Sequence, residues 1–215
     1  WQSKSIDNKH SNESKLSTVW NNPLFKSLVP MGFFSYGGLF AIQTLWAGPW
    51  MIRVSGYTPE ESARGLFIIY LCMLISFLVW GYFVPKFSKN VNDAIRLLKI
   101  GAPLNLFVLM LIIYLGPKAG SIHFAIFIVS SIFLSLTQPA VGMAFSLSNA
   151  GKALTSFNLL IFIGAFFIQW IIGLIIDAGI AFNLSEIDSF KLAMTFVLIT
   201  SLLSYLFFLR KVKIN

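Results

Sequence analysis

The sequence predicts an all-α membrane protein, a bundle of six transmembrane helices. Of its 215 residues, 57% are hydrophobic and 11% charged, where a soluble domain is about one quarter charged. The apolar residues also fall in six blocks free of Asp, Glu, Lys and Arg: Ser27 to Ile52, Gly65 to Pro85, Ile100 to Pro117, Ala119 to Gly151, Ala153 to Ile176 and Leu192 to Leu209. Each reaches or exceeds the roughly 18–20 residues that cross a hydrocarbon core of about 30 Å. Without water, backbone amides must pair within a helix or a closed barrel. The blocks do not alternate in polarity and outrun the about 9–11 residues of a barrel strand, so helices are expected.

Residues 1–23 read as a cytoplasmic linker rich in Ser, Asn and Lys, with a short surface helix near Leu16 to Leu24. Residues 24–215 form the membrane domain, with crossings at about 24–53, 59–84, 94–115, 122–146, 154–176 and 190–210. Pro30 lies near the entry of the first crossing and Gly48-Pro49 near its exit. Thr58-Pro59-Glu60-Glu61 starts the second: Thr58 caps, Pro59 suits the first helical position and Glu61 completes a capping box. Pro85 to Asn92 reads as a basic loop, and Arg96 and Lys99 can snorkel from the first turns of the third crossing. Gly116-Pro117 closes that helix. Asn149-Ala150-Gly151-Lys152 reads as the turn before the fifth crossing, and Ser185 or Asp188 caps the sixth. Trp20, Trp50, Tyr57, Trp80, Tyr114 and Trp170 fall near helix ends, as interfacial anchors do.

The net charge of +8 reports orientation. Twelve Lys and Arg fall on the side of the termini and four on the other, a positive-inside bias that places both ends in the cytoplasm. The membrane is then the cell's inner or plasma membrane, and no nucleic-acid partner is implied. The chain opens on Trp1 rather than Met and reads as a fragment or processed product. Its polar start and long first block do not fit a cleaved signal peptide. The one cysteine, Cys72, forms no intrachain disulfide.

Polar groups in hydrocarbon are costly, so their helical phase is informative. At 100° per residue, Tyr36, Gln43 and Trp50 share one face of the first crossing, with Trp46 about 60° away. Ser131, Ser135, Gln138, Gly142 and Asn149 form a stripe on the fourth. Asn158 and Gln169 align on the fifth. Either the three faces line a shared cavity for a neutral, hydrogen-bonding solute, or these groups cement helix packing; the residues alone leave both open. Gly37-Gly38 reads as close packing. His123 reads as interfacial. No Cys, His and carboxylate set has metal spacing, and neither a cofactor nor a catalytic cluster is visible, so no enzyme is expected. No acid lies well inside a helix; Asp177 is nearest. An internal echo, Gln43 before Gly48-Pro49 and Gln138-Pro139 before Gly142, links the first and fourth crossings, the pair that would correspond in a three-plus-three repeat.

The run Gln43-Thr44-Leu45-Trp46-Ala47-Gly48-Pro49-Trp50, with Gly151-Lys152-Ala153-Leu154-Thr155, Asn158, Gly164, Gln169-Trp170, Gly173 and Asp177, resembles a bacterial branch of the major facilitator superfamily. The resemblance implies the C-terminal six-helix half of a transporter, built as a three-plus-three repeat, with an N-terminal six-helix half of the same protein as partner. It also implies a central cavity faced by the first, second, fourth and fifth helices. The family's basic loop motif corresponds to Gly81, Lys86 and Lys89, although Pro85 stands where an acid is expected. The expected function is transport of a small solute by alternating access, with Tyr36, Gln43, Trp46, Trp50, Gln138, Asn158 and Gln169 as cavity candidates. The alternatives are a non-transporting scaffold or sensor subunit, and a half-transporter that dimerises.

Overall fold

The computed structural model describes residues 16–212; positions 1–15 of the expected linker 1–23 lie outside them. Among the described residues, six helices are long and apolar enough to cross a bilayer, the make-up of a multi-pass membrane protein. They are labelled α1 (Pro23–Arg53), α2 (Pro59–Phe87), α3 (Val91–Lys118), α4 (Ser121–Met143), α5 (Leu147–Ala181) and α6 (Glu186–Lys211). A short helix, Leu16–Asn21, precedes them. Asn22 then caps α1, its Oδ1 accepting from Leu24 N at 2.9 Å and Phe25 N at 3.1 Å. The capping box at Thr58 and Glu61 forms with both bonds present. Ser185 rather than Asp188 caps α6, accepting from Asp188 N at 3.0 Å.

Several boundaries differ from expectation: α3 starts at Val91, α5 runs on to Ala181 and α6 starts at Glu186, and two loops are redrawn. The Asn149–Lys152 turn is helical: the chain bends at Ala144–Ser146, and Asn149 N and Ala150 N both donate to Ser146 O at 2.9 Å. Gly151 costs a helix little in its exposed first turns, so α5 starts seven residues before the expected position 154. The loop at Pro85 is also shorter. Proline forfeits one N–H bond, yet α2 continues through Lys86 to Phe87. Asn90 then opens α3 by accepting from Asp93 N at 3.0 Å.

Neither α1 nor α4 is a regular α-helix. The former widens into π turns at Met31–Tyr36 and Ile42–Trp46; Gly37 N–H reaches back to Gly32 O, and Ala47 N–H to Ile42 O. The latter tightens into 3-10 turns at Ser131–Leu136. Each carries a proline beside an interruption. Pro49 and Pro139 lack an N–H for the carbonyl four residues back, and their rings crowd it. In each helix a non-α segment lies just upstream of that proline. Side chains take up backbone groups there: Ser131, Ser135 and Thr137 each donate to the carbonyl three residues back.

The packing pattern repeats. α1 packs on α5, α6 and the start of α2; α4 packs on α2, α3 and the start of α5; α3 packs on α6. Exchanging α1–α3 for α4–α6 maps the three α1 pairs onto the three α4 pairs and α3–α6 onto itself. One pair departs: α5 and α6 pack closely, whereas α2 and α3 barely touch. Accordingly α2 buries only Ser62, Gly65 and Ile69, all in its first half. Its second half exposes Leu74, Leu78 and Tyr82.

Small residues set the closest approach. A Cβ on Gly37 would stand 2.8 Å from the carbonyl carbon of Gly164, and one on Gly38 would stand 2.9 Å from Val197. α1 therefore sits directly against α5 on one side and α6 on the other, as expected of Gly37-Gly38. Ser35 and Ser204 share a hydrogen bond of 2.8 Å across the α1–α6 seam.

Candidate functional site

The sequence candidates come together mainly as pairs around α5. Toward the end of the bundle where α1 begins, Gln138 Nε2 on α4 donates to Asn158 Oδ1 on α5 at 2.8 Å. Toward the opposite end, Gln169 Nε2 on α5 donates to Thr44 Oγ1 on α1 at 2.8 Å, and Trp46 Nε1 donates to Gln169 O at 3.1 Å. Asn158 and Gln169 stand eleven residues apart, about 16 Å along the helix. Gly164, where α1 and α5 touch, lies between them. Gln138 and Asn158 are half-buried, whereas the Gln169–Thr44 bond is exposed. Among the described residues, Gln138 Oε1, Asn158 Nδ2 and Gln169 Oε1 take no further protein partner, so each pair presents a free polar edge.

The other candidates face elsewhere, because the π turns break the 100° phase. Gln43 is buried against α2: its Nε2 lies 2.8 Å from Met73 Sδ, and Tyr70 Oη donates to Gln43 O at 2.9 Å. A thioether is a weak acceptor, so this amide keeps much of its hydrogen-bonding capacity. Trp50 is fully buried and donates to Ala119 O at 3.2 Å in the α3–α4 connection. It anchors the C-terminal end of α1 inside the bundle rather than at an interface with lipid. Tyr36 is buried with its ring 5.3 Å from that of Phe40. On α4 the 3-10 segment turns about 120° per residue, which disperses the serine stripe, and Asn149 belongs to α5. His123 closes the start of α4, its Nδ1 accepting from Gly120 N at 3.2 Å.

A groove of about 300 Å³ opens between α2 and α4, lined by Trp80, Gly81, Pro85, Ser135, Gln138 and Pro139. The Trp80 ring lies edge-on to Phe133 at 5.1 Å. Its Nε1–H is buried with no protein partner, which leaves a hydrogen-bond donor unmatched beside the free edge of Gln138. Sequence reading placed Trp80 as an interfacial anchor. Its role in the groove depends on α2 and α4 separating there, which no composition signal reports. Thr44 was missed too. It donates to Phe40 O at 2.6 Å, the usual habit of a helical threonine, and its second use as an acceptor for Gln169 needs the neighbouring helix.

Gly81 and Lys86 of the loop motif are helical, on α2. Gly81 has open space around it. Lys86 Nζ lies 3.9 Å from the Tyr82 ring centroid, a cation–π contact. Lys89 lies in the loop and donates its backbone N–H to Asp93 Oδ2 at 3.0 Å. An acid thus stands at this loop, supplied by the first turn of α3 rather than by position 85. Asp177 is exposed on the last turns of α5.

Comparison with protein-family models, with curated proteins and with solved structures finds no match to this chain.

Proposed function

We propose that this chain is one six-helix half of a solute carrier of the major-facilitator type, working by alternating access with its termini in the cytoplasm. The observation that carries the proposal is the correspondence of α1 and α4. They are the two interrupted helices, they occupy matching positions in the packing pattern, and each carries an amide at its interruption. Gln43 lies within a π segment, and Gln138 lies two residues after the 3-10 segment. Interrupted helices at matching positions of two repeats mark the substrate path in secondary transporters. Irregular backbone at membrane depth is tolerated where it lines a cavity or is buried in protein.

The free edges of Gln138, Asn158 and Gln169, with the unmatched Trp80 N–H, offer donors and acceptors and no charge. They suit a small, neutral, hydrogen-bonding solute. The uncovered second half of α2 and the outward face of α5, with Phe166 and Trp170 exposed, supply a surface for a second six-helix bundle. In the intact carrier, single alanine substitutions at Gln138, Asn158 and Gln169 lower uptake by about ten-fold or more, as expected when a solute hydrogen bond of over 1.4 kcal/mol is lost. Unchanged uptake at all three positions contradicts the site.

A further inference from the structure

Two cavities along the seam of α1 and α6 join into one furrow with a basic mouth and an apolar floor. The mouth, about 410 Å³, is lined by Asn21, Lys26, Phe207 and Lys211 among others. The floor, about 240 Å³, is lined by Pro30, Phe34, Leu203 and, again, Phe207. A side pocket of about 230 Å³ toward α3 shares Lys211 with the mouth.

The mouth carries unneutralised charge. Lys26 Nζ has one weak partner, Asn21 Oδ1 at 3.4 Å. Lys211 Nζ stands 5.9 Å from the Phe207 ring centroid. The one ion pair among the described residues is Arg53 with Glu186, at the opposite end of the bundle. Two ammonium groups on different helices thus face one opening, and among the described residues no carboxylate pairs with them. From Lys211 to Thr200 at the far end of the floor is eleven residues, about 16 Å of helix rise. That is about half of a 30 Å hydrocarbon core, the depth one leaflet's acyl chain occupies. Neither the charge nor the apolar floor alone identifies a ligand; the two in line, at that length, fit an amphiphile lying along the helices.

We propose that the α1–α6 furrow holds an anionic phospholipid, its headgroup phosphate between Lys26 and Lys211 and one acyl chain against Pro30, Phe34 and Leu203. Basic recesses between membrane helices on the cytoplasmic side bind acidic headgroups in this way. The lipid would tie α1 to α6 at their inner ends, on the far side of α1 from α5. It is therefore a component of the bundle and separate from any solute path.

The test reconstitutes the full chain in phosphatidylcholine vesicles holding a trace of phosphatidylglycerol, or of phosphatidylcholine, spin-labelled near the end of an acyl chain. Electron paramagnetic resonance reads the motionally restricted fraction. The chain is expected to prefer phosphatidylglycerol by about five-fold for each lysine engaged. Lys26→Gln with Lys211→Gln brings the preference to parity while circular dichroism stays helical. Leu203→Trp, which fills the floor and keeps both charges, lowers it as well. Lys86→Gln with Lys89→Gln leaves it unchanged. A preference that survives the Lys26 and Lys211 changes overturns the proposal. So does equal loss in the Lys86 and Lys89 variant, which would mean a diffuse basic surface. Removal of the preference by excess inorganic phosphate at constant ionic strength overturns it too, since the site would then hold a free anion.

Discussion

Gly37 and Gly164 meet backbone to backbone where α1 crosses α5. A side chain on Gly164 would collide with the Phe33 carbonyl of α1. With no hydrophobic drive between helices in lipid, such close approach is the main source of association. Gly164→Val is therefore expected to lower unfolding stability by about 1–3 kcal/mol, the range for overpacking. Gly81→Ala, where a Cβ meets nothing within 4 Å, is expected to be neutral or to stabilise by up to about 1 kcal/mol through helix propensity. Thermal or denaturant unfolding in detergent compares the two. A Gly164→Val protein as stable as the parent would show that the seam adjusts.

The Gln138–Asn158 bond joins α4 to α5. Interhelical hydrogen bonds in membranes average about 0.6 kcal/mol, with a maximum near 1.7. A double-mutant cycle with Gln138→Ala and Asn158→Ala should return a coupling in that range. A coupling near zero would mean that the two amides are not paired in the folded protein.

Trp80→Phe keeps the ring that packs on Phe133 and removes the unmatched N–H. Deleting a buried donor that has no partner is neutral or stabilising, by about 1 kcal/mol at most. Unfolding stability should therefore hold or rise. Uptake should fall, because that N–H is then lost to the solute. A loss of stability in Trp80→Phe would instead mean that the N–H is satisfied within the protein.

The orientation can be checked with single cysteines in a Cys72→Ala background. Lys89→Cys, between α2 and α3, and Lys118→Cys, between α3 and α4, lie at exposed positions on opposite ends of the bundle. An impermeant thiol reagent applied outside intact cells should label position 118 and spare position 89. The reverse pattern would invert the topology.

Much of the fold was legible because membranes impose coarse rules. Charge-free blocks gave six helices, Thr58 and Glu61 gave a cap, and Gly37-Gly38 gave a close seam. The helix interiors were not legible. Phase arithmetic placed Tyr36, Gln43 and Trp50 on one face, but two π segments lie between Met31 and Trp46 and turn Gln43 toward α2. Proline signals such a break, yet Pro49 follows a wide segment and Pro139 a tight one, so the residue alone does not give the sense of the distortion. Helix ends were softer still: Gly151 reads as a breaker, but in an exposed first turn it serves as helix. The site was legible in residue type more than in arrangement. Gln138, Asn158 and Gln169 were found by polarity, whereas Thr44 and Trp80 matter only through neighbours that sequence does not order.

The proposed carrier requires the Gln138–Asn158 and Thr44–Gln169 pairs to lie along a water-accessible path. Cysteines placed singly at Asn158 and Gln169 in the Cys72→Ala background test this without knowledge of the solute. In sealed membranes, alternating access predicts that each reacts with a small impermeant thiol reagent supplied from either side. If both positions stay unreactive from both sides while the protein remains folded, the amides are packing groups and the carrier reading is contradicted.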